Sequence, residues 1–364
     1  DFEAETQIAS LRGGPGHGWS PDYWLVISGP PVGSTVAHSV AKGGILPPHE
    51  NHDFGTYSVL PCAMPSLSSF FLSVGDGHQL YVETWGNPAG EPVLVLHGGP
   101  GSGCSPRLRQ LYDPARHYAV FFDQRGAGRS LPTGEIRANT TAELIADIER
   151  LRTHLHIARW RVTGGSWGAT LALAYSAAHR EVIAGVQVRS VFMPGASNVA
   201  WFFQGLAGVR PDAWRALAVA LPEAGGRDLF AALQARLNGP DERAARGAAL
   251  AWRHYEQMIA EPSAGLPVRP TDSELDGLVL KYRLQAHYLA AGCFLDETAF
   301  LDACASLSSL PVTLIHGRLD QACPPVNAER IHARIAGSRL VWIDRCGHEA
   351  YHPAMLAAWR GYGL

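Results

Sequence analysis

Long basic runs are missing from this chain: Lys and Arg never cluster beyond a pair, and 30 of them against 33 Asp and Glu leave a formal charge of -3. That balance speaks against a nucleic-acid partner, because displacing phosphate counterions takes a basic stripe. Also lacking is any stretch near the ~20 apolar residues of a membrane helix. The nearest thing to a signal-peptide core, Trp24 to Ile27, is too short and runs into Gly29-Pro30-Pro31. Cysteine is sparse. The six (Cys62, Cys104, Cys293, Cys304, Cys323, Cys346) are too scattered for a zinc site and too few for a disulfide scaffold, so free thiols are expected. The chain opens on Asp1 rather than Met, which leaves room for an upstream piece, and the expected location is cytoplasmic. What is present, 46% hydrophobic and 17% charged residues over 364 positions, is the composition of a globular protein with a core to bury.

Residues 1–65 are rich in Gly, Pro, His and Ser without helical or strand periodicity, and read as an extension laid on the domain or partly disordered. From Phe71 the pattern changes. Phe71 to Val74, a turn at Gly75-Asp76-Gly77 and Gln79 to Glu83 predict a hairpin. Short apolar runs at Val93 to Leu96, Ala119 to Phe122 and Arg161 to Thr163 predict buried parallel strands. Between the last two, Leu144, Ile145, Ile148, Leu151 and Leu155 share a helical face, opened by a capping box at Thr140 and Glu143. The alternation returns at Val312 to Ile315 and Leu340 to Ile343, around a helix expected over Glu329 to Ile335. The insertion between is helical, with patterns over Asp212 to Leu221, Asp241 to Ile259 and Ser273 to Ala291. The expected organisation is therefore the extension, 1–65; a first core part, 66–189; a helical cap, 190–302; and a second core part, 303–364. This is the layout of an α/β-hydrolase, with a mostly parallel central sheet and an inserted helical cap.

Gly164-Gly165-Ser166-Trp167-Gly168 matches G-x-S-x-G at a strand-to-helix turn, where the glycines allow a serine to be held strained and exposed above the sheet. A serine hydroxyl needs a base beside it and an acid to orient that base. In this fold the order along the chain is Ser, acid, His. Asp320 follows the strand at Val312 to Ile315, and His348 follows the one at Leu340 to Ile343. Asp344 is the rival acid, too near His348 in sequence to come from the preceding strand. The loop His97-Gly98-Gly99-Pro100-Gly101 would supply one oxyanion donor at Gly99, with Trp167 the other. Its glycine spacing is not that of a phosphate loop. His348-Glu349-Ala350-Tyr351-His352 spells H-E-x-x-H, but Gly347 and Pro353 leave little helix to hold two zinc ligands, so no metal and no cofactor are expected.

With these motifs in place the chain resembles the prolyl aminopeptidase (proline iminopeptidase) family of α/β-hydrolases from about Phe71 to Pro353. The resemblance rests on His97 to Gly101 with Cys104-Ser105-Pro106, on Asp123-Gln124-Arg125-Gly126-Ala127-Gly128-Arg129-Ser130, on Gly164 to Gly168, and on His316-Gly317-Arg318-Leu319-Asp320 with Cys323-Pro324. It implies a metal-free enzyme that releases an N-terminal residue, typically proline, from short peptides, within a family that also holds members acting on other amides and esters. It further implies a pocket between cap and sheet, where acidic residues bind the free amine and aromatic rings pack on the pyrrolidine. Arg189, Phe192, Phe202 and Phe203 match the family by position, as does Glu256 within Trp252-Arg253-His254-Tyr255-Glu256. Two matches fail: the family's Gln-Glu-Gly is Gln204-Gly205-Leu206 here, and a usual amine-binding glutamate is Gln285. Read without the family, Glu256 and Gln285 are a solvated helix face. Cys323 is either a thiol open to reagents or a packed inert one.

The expected function is thus an amide-cleaving serine hydrolase working through an acyl-enzyme, an aminopeptidase releasing proline or another small residue. The alternatives are an amidase or esterase acting on a non-peptide substrate and a catalytically silent binding protein. The expected partner is a small peptide, amide or ester, with no nucleic acid and no membrane.

Overall fold

The computed structural model describes residues 7–9, 24–28, 36–41, 44–45, 66–260 and 270–362. It divides into two units, Asp1–Cys62 and Ala63–Leu364. In the first, β1 (Gln7–Ala9), β2 (Trp24–Ser28), β3 (Val36–Ala41) and β4 (Gly44–Ile45) pair antiparallel in chain order. Strands therefore occur where the sequence reading expects none. Runs of two to six residues are too short for a period of two to stand out from chance.

The second unit opens with the hairpin of β5 (Ser66–Gly75) and β6 (His78–Gly86), which pairs Phe71 with Tyr81 and Leu72 with Leu80. Then come β7 (Glu91–Leu96), β8 (His117–Phe122), α1 (Thr141–His154), β9 (Trp160–Gly165), α2 (Trp167–Ala178) and β10 (Ile183–Arg189). Helices α3 (Ala196–Ala200), α4 (Leu206–Val209), α5 (Pro211–Ala220), α6 (Leu229–Asn238), α7 (Glu242–Ala260), α8 (Asp272–Ala290) and α9 (Glu297–Ala305) follow, and β11 (Val312–Gly317), α10 (Val326–His332), β12 (Arg339–Ile343) and α11 (Pro353–Tyr362) complete the chain. The sheet order is β12-β11-β10-β9-β7-β8-β6-β5. Every pairing is parallel except those of β6, which runs against both its neighbours.

Alternate residues of one strand feed two cores, which is why the parallel strands read as unbroken apolar runs. Leu94 and Leu96 of β7 face α1 and α2 with Val120, Phe122, Val162 and Leu314. Val93 and Val95 face the other way, joining Phe121, Ile315 and α11's Met355 and Trp359. The capping box forms as its spacing predicts, with Thr140 N–H donating to the Glu143 carboxylate at 3.1 Å.

In the insertion, α7 packs against α5, α6 and α8. Helix α8 also reaches the sheet's C-terminal edge: the Lys281 carbonyl and the Leu284 side chain crowd Gly101, and the Tyr288 ring lies 5.3 Å from that of Trp167. Helix α9 spans residue 302 and packs on α2. No helix among the described residues is long and apolar enough to cross a membrane.

Candidate active site

Strand β9 ends at Gly165 and α2 begins at Trp167, so one residue must make the whole turn. Ser166 does so at φ 58°, ψ -128°, a conformation that costs a residue with a side chain about 1–3 kcal/mol and concentrates at functional sites. The flanking glycines make the turn feasible by close approach. A Cβ on Gly164 would stand 2.2 Å from the Gly168 carbonyl oxygen, and one on Gly168 would stand 2.2 Å from that of Leu96.

Asp320 and His348 come from the ends of β11 and β12, which pair in parallel and bring their C-terminal loops together. His348 Nδ1 and Asp320 Oδ2 are 2.8 Å apart. The carboxylate is buried, and its Oδ1 accepts from the Cys323 N–H at 2.8 Å. Burial alone would lower the His348 pKa, but the neighbouring carboxylate holds it above the ordinary histidine value. In return, against the effect of burial, His348 holds the Asp320 carboxyl below the usual range. The rival Asp344 is exposed and paired with Arg318 at 2.8 Å.

His348 is not hydrogen-bonded to Ser166 among the described residues; the Cys323 thiol lies within reach of both side chains. Such catalytic bonds often tighten only around a substrate. Burial raises the Cys323 pKa, which favours the uncharged thiol beside Asp320, His348 and Ser166. The five described cysteines are all free, while Cys62 lies outside the described residues.

Trp167 is the first residue of α2, so its N–H has no acceptor within the helix. Gly99 sits at φ +118° in the loop after β7, and the loop's approach to the serine is close: a Cβ on Gly98 would lie 4.0 Å from Ser166 Oγ. Sequence reading missed what anchors this loop. Trp167 Nε1 donates to Gln124 Oε1 at 2.9 Å, Gln124 Nε2 donates to the His97 carbonyl at 3.0 Å, and the Gln124 N–H donates to His97 Nε2 at 3.0 Å. His97 Nδ1 in turn lies 2.8 Å from the Gly98 carbonyl. Since Nε2 accepts, Nδ1 carries the proton and donates. The Asp123-Gln124-Arg125 motif was the available signal, but a motif does not announce which of its members bridges two loops.

In the cap, Glu256 and Gln285 meet rather than face solvent separately. Gln285 Nε2 donates to Glu256 Oε1 at 2.6 Å, and Tyr282 Oη donates to Oε2 at 2.8 Å. Lys281 Nζ stands 3.6 Å from that same oxygen. Gln285 is 5% exposed, and its Oε1 has no hydrogen-bond partner.

The aromatic residues divide. Phe192 follows β10 directly beside the elbow, its N–H 3.5 Å from the Ser166 carbonyl oxygen. Phe202 is partly buried and packs edge-on to Tyr255. Phe203 belongs to the core of the cap: it is 2% exposed, with Phe230 at 5.0 Å and Trp252 at 5.4 Å between ring centroids. Both phenylalanines lie on a wide turn of helix over Trp201–Gly205, on which side-chain direction does not follow the α-helical rule. Arg189 ends β10, and its guanidinium lies against Gly165, on the face of the sheet that α11 covers. The H-E-x-x-H residues precede α11 and lie outside any helix, and among the described residues no three His, Cys, Asp or Glu side chains converge to hold a metal.

The α/β-hydrolase-fold family model matches residues 91–354. A proline iminopeptidase of Xylella fastidiosa strain Temecula1 is 38% identical over 299 residues, covering 81% of this chain and 96% of the relative. The chain belongs to the proline iminopeptidase family of α/β-hydrolases. A proline iminopeptidase of Arabidopsis thaliana is 37% identical over 322 residues, covering 87% of this chain and 84% of its own length. Among solved structures, that of a Mycobacterium smegmatis proline iminopeptidase superposes with a TM-score of 0.53 at 21% identity, over 77% of this chain and 91% of the other, which supports the fold. Membership agrees with what the motifs imply.

Proposed function

We propose that this chain is a proline iminopeptidase, with Ser166 as its nucleophile. The observation that carries the reading is Ser166 in its strained turn beside the bonded Asp320 and His348 pair, in a chain of this family. Ser166 Oγ attacks the carbonyl of the N-terminal residue while His348 Nε2 takes its proton. Asp320 keeps the imidazole oriented through Nδ1. The Gly99 and Trp167 N–H groups hold the oxyanion, His348 protonates the departing amine, and water then clears the acyl-enzyme. Glu256 receives the substrate's ammonium, with the unpartnered Gln285 Oε1 beside it as a neutral acceptor, and Phe192 and Phe202 flank the ring. The substrate is a short peptide with a free N-terminal proline.

Gln285 favours a second reading, an amidase or esterase indifferent to a free amine. A carboxylate at that position would add a charge-assisted bond of about 1.5–3 kcal/mol that an amide does not. Hydrolysis of a prolyl anilide, its N-acylated version and a simple aryl ester separates the two. The proposed function expects the free-amine anilide to be cleaved fastest; equal rates for the acylated and free anilides would replace it by the second reading.

A further inference from the structure

Lysine is nearly absent from this chain: only two of its 30 basic residues are lysines, Lys42 and Lys281. Lys42 lies outside the described residues. Lys281 stands in the cap on α8, with Nζ 3.6 Å from Glu256 Oε2, 3.5 Å from Tyr282 Oη and 4.5 Å from the centroid of the Tyr282 ring. Glu256 and Tyr282 thus hold an ammonium at the carboxylate that the proposed function assigns to the substrate's amine. An arginine there would be a planar fork, whereas a lysine ammonium is a compact point charge, the same kind of group as a peptide's N-terminal ammonium.

The rest of that carboxylate is engaged as well. Glu256 Oε1 accepts from Gln285 Nε2 at 2.6 Å, and Oε2 accepts from Tyr282 Oη at 2.8 Å. An arriving ammonium therefore meets a carboxylate whose charge is already matched, and beside it one open acceptor, the buried Gln285 Oε1. The course of α8 ties this arrangement to the reaction. The Lys281 carbonyl oxygen would stand 2.9 Å from a Cβ on Gly101, in the same loop as Gly99, the oxyanion donor of the proposed mechanism. Further along the helix, the Tyr288 ring lies 5.3 Å from that of Trp167. The stretch of α8 that carries Lys281 and Gln285 thus runs along the catalytic loops.

We propose that Lys281 is a specificity-determining residue, a resident ammonium that competes with the substrate's for Glu256 and so holds down the preference for a free N-terminal amine. The inference rests on the proposed aminopeptidase reading, in which Glu256 receives that amine. When substrate binds, the Lys281 ammonium either shares the carboxylate, which sets like charges side by side, or turns out into solvent, which gives up its pairing. The Lys281 and Glu256 side chains are 25% and 26% exposed, which permits the turn and keeps the pair weak. The consequence is a raised KM for the free amine, not a blocked site.

The test removes the charge and keeps the stem. In Lys281→Met the kcat/KM ratio of a prolyl anilide to its N-acyl analogue is expected to rise about two- to fivefold, through a lower KM for the free amine, the range of a part-exposed ion pair. Lys281→Arg, which keeps a cation in place, should stay near the wild-type ratio. Exposed charges are screened by salt, so the gain in Lys281→Met should fade at about 1 M salt. Each ratio is internal to one protein, so partial loss of folded protein cancels. If the N-acyl anilide is cleaved too slowly for a ratio, Ser166→Ala protein decides: adding Lys281→Met should tighten its Kd for the prolyl anilide by the same factor. An unchanged Kd, or an unchanged or lowered ratio, overturns the proposal. A rise of equal size in Lys281→Arg, one that persists at high salt, or one that comes from kcat alone assigns the effect to packing and overturns it too. A wild-type preference for the free amine that Lys281→Met leaves alone removes only this inference. Equal cleavage of free and acylated anilides by both proteins removes the aminopeptidase reading and this inference with it.

Discussion

The C-terminal edge of the sheet and the helical cap position their polar side chains by different means. At the edge, backbone geometry does the positioning. Ser166 is fixed by a turn that only flanking glycines permit, and Asp320 and His348 by the register of two parallel strands. In the cap, side chains hold one another: Glu256 is kept in place by Tyr282 and Gln285 from a neighbouring helix, over an aromatic cluster of Phe203, Phe230 and Trp252. Chemistry fixed by backbone resists sequence change, whereas a site made of side-chain contacts can be retuned one residue at a time. The Gln285 departure falls in the second kind of region.

That contrast can be broken at several strengths. The largest effect belongs to the edge: Asp320→Asn should lower kcat/KM for a prolyl anilide by about 10⁴-fold with the fold intact by circular dichroism, because the imidazole loses its oriented tautomer. A loss below tenfold would mean that the 2.8 Å contact to His348 does not orient the base. In the cap, Phe203→Ala should cost about 3–5 kcal/mol of stability, read as a lower Tm, through the cavity it leaves among aromatic rings. A raised KM at unchanged Tm would instead return Phe203 to the pocket wall. Smaller still, Gln285→Glu should raise the preference for a free amine over its N-acyl analogue by about tenfold. The new carboxylate would sit against Glu256, so the pair shares a proton until an ammonium arrives and the gain should grow with pH. An unchanged preference at every pH would show that residue 285 does not contact the amine.

The smallest effect is a displacement in pH. In the proposed mechanism His348 must be neutral to accept the Ser166 proton, and Asp320 holds it protonated to higher pH than an ordinary histidine. The acid limb of kcat/KM should therefore have its midpoint above 6.5, activity rising as pH rises through it. In Asp320→Asn the residual activity should show that limb moved to lower pH; a limb at the same pH in both proteins would assign it to another group.

The edge was legible in the sequence because its signals are local. Apolar runs mark the strands, G-x-S-x-G marks the turn, and Asp320 and His348 each follow a strand by a few residues. The cap was half legible. Helical periodicity places α5, α7 and α8, yet Phe202 and Phe203 are adjacent on a wide turn, and only packing sends Phe203 into the core. Arg189 was legible by position but not by direction, since the face that a residue takes at the end of a strand depends on its neighbours' small size, here Gly165. The bridge made by Gln124 joins loops separated by 27 residues and has no periodic signature. The short strands of the first unit were likewise invisible, being too brief for alternation to register.

The central claim, that Ser166 is the nucleophile of a working triad, is tested most directly by treating the protein with an organofluorophosphonate and mapping the adduct by peptide mass spectrometry. The account predicts one phosphonyl group per chain, on Ser166, with loss of prolyl-anilide hydrolysis in proportion to labelling and no adduct in His348→Ala. Labelling of another residue, or full hydrolytic activity in an unlabelled or Ser166→Ala protein, would contradict it.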